Sequence, residues 1–175
     1  VKVTASERGV APVLLPVDAD ELEQGRVRVV SEERASDPGA RRSVIQAVGN
    51  GRAILDTELF IVDPETREPC PVHRVGEIWV RSPSVARGYW QRDDATEETF
   101  GGMLADGRGP FMRTGDIGFV DETGEVFHAA RIKDLLILRG RNVYPQDVER
   151  SAEESHPALR PGCSTAFAID VAGEE

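Results

Sequence analysis

The sequence predicts an α+β protein, mainly antiparallel β, in which a small distorted barrel precedes the start of a second α+β unit. Three observations carry this. Short apolar segments recur from Ala53 to His128 between turn-forming residues, the spacing of a small antiparallel barrel. Ile117-Gly118-Phe119-Val120 and Glu125-Val126-Phe127-His128 flank Asp121-Glu122-Thr123-Gly124, which predicts a hairpin with a four-residue loop. Past Lys133 the pattern changes to strand, helix, strand, with only one helix to cover its sheet.

Taken in order, residues 1–45 are the least regular. Val13-Leu14-Leu15 and Val27-Arg28-Val29-Val30 each predict a short strand, and Asp18 to Gln24 one or two helical turns. Ser31 to Arg42 is charged and holds Asp37-Pro38-Gly39; a surface excursion and a disordered linker both fit it. Leu59-Phe60-Ile61-Val62, closed by Asp63-Pro64, suits a strand buried on both faces. Gly76 to Arg81 alternates, with Ile78 and Val80 on one face. Gly88, Tyr89 and Trp90 suggest a tight bend whose aromatics fill a core. Asp93 to Phe100 predicts a short helix with acidic residues at its N-terminus, followed by a glycine-rich loop. That loop lacks the Gly-Lys-Ser/Thr ending of a phosphate cradle. Leu135 to Leu138 predicts a buried strand stopping at Arg139 and the turn glycine Gly140. Pro145 fits a helix first turn, with Val148 and Ala152 on its apolar side, and Pro157 ends the helix. Ser164 to Val171 alternates as a last strand.

Composition narrows the function. The 175 residues are 39% hydrophobic and 30% charged, ordinary for a soluble domain, and fit one domain or one plus part of another. A net charge of −10 argues against a nucleic-acid binder, whose affinity comes largely from Lys and Arg. No apolar run approaches the ~20 residues of a membrane helix, and no secretory leader opens the chain, so the expected setting is cytoplasmic. Free thiols at Cys70 and Cys163 are favoured over a disulfide. Neither pairs with His73, His128 or His156 at zinc-ligand spacing, so no metal site is expected.

Four segments occur in a telling order: Gly76-Glu77-Ile78-Trp79-Val80, Ser84 to Trp90, Arg113-Thr114-Gly115-Asp116 and Arg131-Ile132-Lys133-Asp134. They resemble consecutive core motifs of the acyl-adenylate-forming superfamily of acyl-CoA synthetases, luciferases and peptide-synthetase adenylation domains. Lys133 to Ile137, Gly140-Arg141-Asn142 and Tyr144 to Glu149 resemble most its fatty acyl-AMP ligase branch, as do Val48 to Arg52 and Ile61 to Thr66. The resemblance is good from about Val48 onward and loose before it.

The resemblance implies roles. Asp116 matches the ribose-binding aspartate, since one carboxylate can accept a hydrogen bond from each of two adjacent hydroxyls; alone, it would be read as a turn cap. A rigid strand start is expected to hold it. Arg131 matches an arginine reaching the ribose and phosphate region, suited by its permanent charge and fork geometry. In isolation it would be a solvated charge. Lys133 matches a hinge about which a C-terminal domain rotates. The implied division is 1–130, the last subdomain of a large adenylating domain, and 131–175, the hinge and first part of a small one. Residues 14–45 fall where this branch carries an insertion that restrains rotation. The implied reaction joins a fatty acid to ATP with Mg2+, for transfer to an acyl carrier protein or a polyketide or peptide synthase carrier domain.

The phosphate loop and the catalytic lysine of that family have no match here, so the chain is expected to be a piece of such a ligase and inactive alone. An acyl-CoA synthetase piece and a non-catalytic β-barrel interaction module are the alternatives.

Overall fold

The computed structural model describes residues 4–5, 9–40, 43–138 and 141–169. In chain order, β1 (Thr4–Ala5) is followed by β2 (Leu14–Asp18), α1 (Ala19–Glu23) and α2 (Glu32–Ser36). Then come β3 (Val44–Val48), β4 (Arg52–Ala53), β5 (Glu58–Val62) and β6 (Gly76–Arg81). The chain continues through α3 (Asp93–Phe100), β7 (Met112–Val120), β8 (Val126–Arg131), β9 (Leu136–Leu138), β10 (Arg141–Val143) and α4 (Pro145–Glu154). All four sheets are antiparallel: a four-stranded sheet in the order β5-β6-β7-β8, and the pairs β2-β3, β1-β4 and β9-β10. A bridge between Gly49 and Phe127 joins the β2-β3 ribbon to β8. This is the expected α+β, mainly antiparallel architecture.

Residues 9–40 are more ordered than their composition suggests. Asp18 caps α1 by accepting from the Glu21 N–H at 3.2 Å, and Ser31 caps α2 by accepting from the Arg34 N–H at 3.4 Å. Short polar side chains at these positions satisfy otherwise orphaned helix donors. Val17, Leu22 and Val27 are buried with Phe119, Phe127, Ala130 and Tyr144. The Phe119 and Phe127 rings stack at 4.9 Å. The expected strand at Val27–Val30 is instead a single isolated bridge, Val29 to Val17, on the edge of β2 away from β3; a second bridge, Arg26 to Arg74, lies just before it.

The four-stranded sheet is covered on both faces. Ile61, Ile78, Val80 and Val126 pack on one, Val62, Trp79, Leu104 and Phe111 on the other. Buried and exposed residues therefore do not alternate along β6: Glu77 and Trp79 are as buried as Ile78 and Val80, because the loop before β7 folds over them. In β5 only Ile61 and Val62 are buried, since Leu59 and Phe60 lie nearer the sheet's rim.

Three further expectations fail for want of cover. Tyr89 and Trp90 fill no core; Trp90 is 87% exposed, while Tyr89 packs edge-on against Phe100. Thr96 of α3 holds this bend by accepting from the Tyr89 N–H at 2.9 Å, leaving both rings outside the sheet's core. Strand β9 is not buried: Ile137 and Leu138 are exposed and the strand pairs only with β10. Val148 and Ala152 of α4 are exposed too. Residues 164–169 form no strand, having no backbone ladder to join; 170 and 171 lie outside the described residues, as do Arg139 and Gly140. Cys70 and Cys163 are free. Among the described residues no helix is long and apolar enough to cross a membrane.

Candidate functional site

Strand β7 departs from regularity where the predicted site residue sits. Opposite Ile78 of β6 the register shifts: Glu77 faces Ile117 and Trp79 faces Arg113, so Thr114, Gly115 and Asp116 together oppose one residue. Asp116 thus stands on a mid-strand bulge, where the sequence suggested a strand start. Gly115 adopts φ +72°, a backbone region that residues with a Cβ enter at a cost. Thr114 fixes the bulge from both sides, donating through Oγ1 to the Ile78 carbonyl at 2.7 Å and accepting from the Asp116 N–H at 3.0 Å.

A second bulge lies between β7 and β8. Asp116 pairs with Arg131 and Ile117 with Ala130, but Gly118 pairs with His128, which leaves Ala129 as the extra residue. Strict alternation would send His128 and Arg131 to opposite faces; the inserted residue turns His128 to the Asp116 side. The result is a carboxylate with two basic neighbours, Arg131 Nε at 3.4 Å and His128 Nε2 at 3.7 Å, both on Asp116 Oδ1. The His128 backbone N–H is held by Asn50 Oδ1 at 3.0 Å.

Three grooves meet at His128. One, of about 510 Å³, is lined by Asp116, Thr114, Met112, Ile78, Asn50 and His128. A second, of about 810 Å³, is lined by His128, Arg131, Lys133, Gln146 and Glu149. Lys133 sits on the 3-10 turn Ile132–Asp134 that follows β8. The structure therefore brings Asp116 and Arg131 together as cross-strand partners, Asp116 lining the first groove and Arg131 lining the second together with Lys133. His128 was not singled out from sequence; its signal was only that it closes the hairpin two residues before Ala130.

Chemically, Asp116 is an anionic acceptor at the mouth of a groove and Arg131 an exposed cation beside it, a set suited to hydroxyls and phosphate oxygens. It does not suit a metal: the described residues hold no cluster of three or more His, Cys, Asp or Glu that could ligate one. The third groove, of about 360 Å³, runs between β3, β8 and α4. Tyr144 lines it, and burial, then Asp147 and Glu23, pushes its phenol up to about 12. Burial also raises the Asp147 carboxyl, which Arg150 at 2.7 Å partly offsets.

Known proteins share this framework. A family profile described as AMP-binding enzyme matches residues 30–90. The chain is 44% identical over 175 residues to the medium-chain fatty acid–acyl-carrier-protein ligase JamA of Moorena producens, covering 99% of this chain and 28% of that protein. It is 42% identical over 181 residues to the 4-hydroxyphenylalkanoate adenylyltransferase of Mycobacterium marinum, covering 100% of this chain and 27% of that one. A crystal structure of the L. pneumophila fatty acyl-adenylate ligase, in complex with acyl adenylate and pyrophosphate, superposes with a TM-score of 0.65 at 38% identity, over 87% of this chain and 25% of that one. The chain thus spans little more than a quarter of the length of these relatives. Ordered motifs, antiparallel fold and these likenesses agree: the chain belongs to the AMP-binding, adenylate-forming enzymes.

Proposed function

We propose that this chain forms one wall of the nucleotide site of a fatty acyl-AMP ligase, which joins a fatty acid to ATP as acyl-adenylate and pyrophosphate. The acyl group then passes to an acyl carrier protein or a polyketide or peptide synthase carrier domain. One observation carries the reading: the Asp116–Arg131 cross-strand pair at a groove mouth. Asp116 accepts the two ribose hydroxyls, and Arg131 meets the ribose–phosphate edge. In-line attack of a carboxylate on the α-phosphate needs these groups held still, and a bulged strand pinned by Thr114 supplies that rigidity. The reaction calls for Mg2+ with the triphosphate, and no step through it falls to the described residues.

The division falls at residues 130 and 131, with Lys133 as the pivot of the following domain. Residues 14–45 are the restraint on rotation, and the contact supporting this is the Tyr144 hydroxyl donating to the Leu22 carbonyl at 3.3 Å. Because Val17, Leu22 and Val27 are core residues, removing 14–45 whole would unfold the sheet. Tyr144→Phe is the finer test: in the full-length protein carrying this chain it should raise acyl-CoA output relative to acyl-AMP, and a flat response removes the support for a restraint.

The main test is Asp116→Ala in that full-length protein. Fatty-acid-dependent ATP–pyrophosphate exchange should fall about a hundredfold or more, as charge-assisted hydrogen bonds to the ribose are lost. Unchanged exchange sinks the assignment. The 175 residues alone should release no pyrophosphate from ATP and a fatty acid.

A further inference from the structure

Glu77 is the least solvated carboxylate on the sheet, at 2% exposure, and the reaction as described gives it nothing to do. Its Oε2 accepts from the Trp79 indole N–H at 2.8 Å and from Arg113 Nε and Nη2 at 3.2 and 3.1 Å. Its Oε1 accepts from the Gly115 backbone N–H at 3.2 Å. Arg113 in turn lies over the Trp79 ring at 5.6 Å. A buried charge is tolerated only when paired and hydrogen-bonded. Here every named partner lies on one short stretch of β7 or on the neighbouring tryptophan.

The geometry of the bulge makes this more than core stability. An extra-residue bulge leaves backbone donors without ladder partners, and the Gly115 N–H is one that Glu77 takes over. The next residue is Asp116. We infer that Glu77 is a positioning residue for the ribose contact: through Gly115 and Arg113 it fixes the bulge that aims the Asp116 carboxylate. The inference rests on the nucleotide-site reading of Asp116. It also accounts for Arg113, Thr114 and Gly115, the three residues preceding the aspartate. Arg113 balances the buried charge, Thr114 ties the bulge to Ile78, and Gly115 supplies both the positive φ and the donor.

The test uses the full-length protein carrying this chain and compares ATP with 2′,3′-dideoxy-ATP in fatty-acid-dependent pyrophosphate exchange. Glu77→Gln keeps shape and removes the charge that holds Arg113 and Gly115. The expected result is a rise of about tenfold or more in KM for ATP, no comparable change for the dideoxy analogue, and so a loss of discrimination between the two. A role in stability alone would lower both activities together. Wild-type discrimination in folded Glu77→Gln overturns the inference. If Glu77→Gln does not fold, Thr114→Val decides: lost discrimination supports the pinned bulge, and retained discrimination overturns it. Asp116→Asn separates the two layers. Retained discrimination in Asp116→Asn sinks the ribose reading and the Glu77 inference with it. If discrimination is lost there but kept in Glu77→Gln, only the Glu77 inference fails.

Discussion

The sheet β5–β8 and the stretch from Ile132 to Ile169 are built from similar material and end differently. In the sheet, apolar side chains are covered on both faces, and its buried carboxylate, Glu77, is bonded through both oxygens. In the later stretch Ile137, Leu138, Leu159, Phe167 and Ile169 are exposed, with Phe167 at 72%. Tyr144 and Pro145 are exceptions, Tyr144 being buried in the core beside Leu22 and Phe127. The difference teaches that burial belongs to what covers a segment. Apolar content alone does not confer it.

The largest expected break of this comparison is Phe127→Ala. It empties the centre of the main core and should destabilise the chain by about 3–5 kcal/mol in urea denaturation. Ile137→Ala in the same assay should change stability by less than about 0.5 kcal/mol. Equal losses would mean the two regions do not differ as described.

Tyr144→Phe comes next. It frees the Leu22 carbonyl and should cost about 1 kcal/mol, with faster amide exchange in α4 as the local readout. Exchange in α4 unaffected by the change would show that Tyr144 does not tie the later stretch to the sheet.

Acid should loosen one contact in the later stretch. The Ser164 hydroxyl, at 2.5 Å, together with the Gly162, Ser164 and Cys163 backbone N–H groups, holds the Glu153 carboxyl at about 2, against an ordinary value of 4.5. A depressed carboxyl stabilises above its unfolded value, so this hold is complete above pH 4.5 and is lost as pH falls from there towards 2. Protection of the Ser164 amide against exchange, relative to its intrinsic rate at each pH, should fall across that window, and Glu153→Gln should abolish that change. Protection at Ser164 that does not change with pH would rule the contact out.

Asp116→Asn, like the exposed Ile137→Ala, should change stability little. Its partner Arg131 is 70% exposed in its side chain, and such pairs contribute about 0–1 kcal/mol. A functional loss with a near-native midpoint would separate the site from the scaffold; a large drop in midpoint would make Asp116 a structural residue instead.

Much of this was legible in the chain. The helical turn expected within Asp18–Gln24 is α1, whereas α2 was not anticipated in a stretch that fitted a surface excursion or a linker. The Ile117–His128 hairpin and the Asp93–Phe100 helix follow from period and turn chemistry, and the motif order pointed to Asp116 and Arg131 and to the family. Trp90, Ile137 and Val148 were misjudged because an apolar residue's own letter does not say whether another segment will cover it.

What sequence alone determined, then, was the set of local elements, since these depend on neighbours within a few residues. Tertiary structure decided the faces. One extra residue at Ala129 turns His128 onto Asp116's side, and the Thr114–Gly115–Asp116 bulge gives buried Glu77 the Gly115 backbone donor. A period-two reading cannot register a bulge, because an inserted residue reverses every face beyond it, and only pairing with the partner strand fixes where the insertion falls.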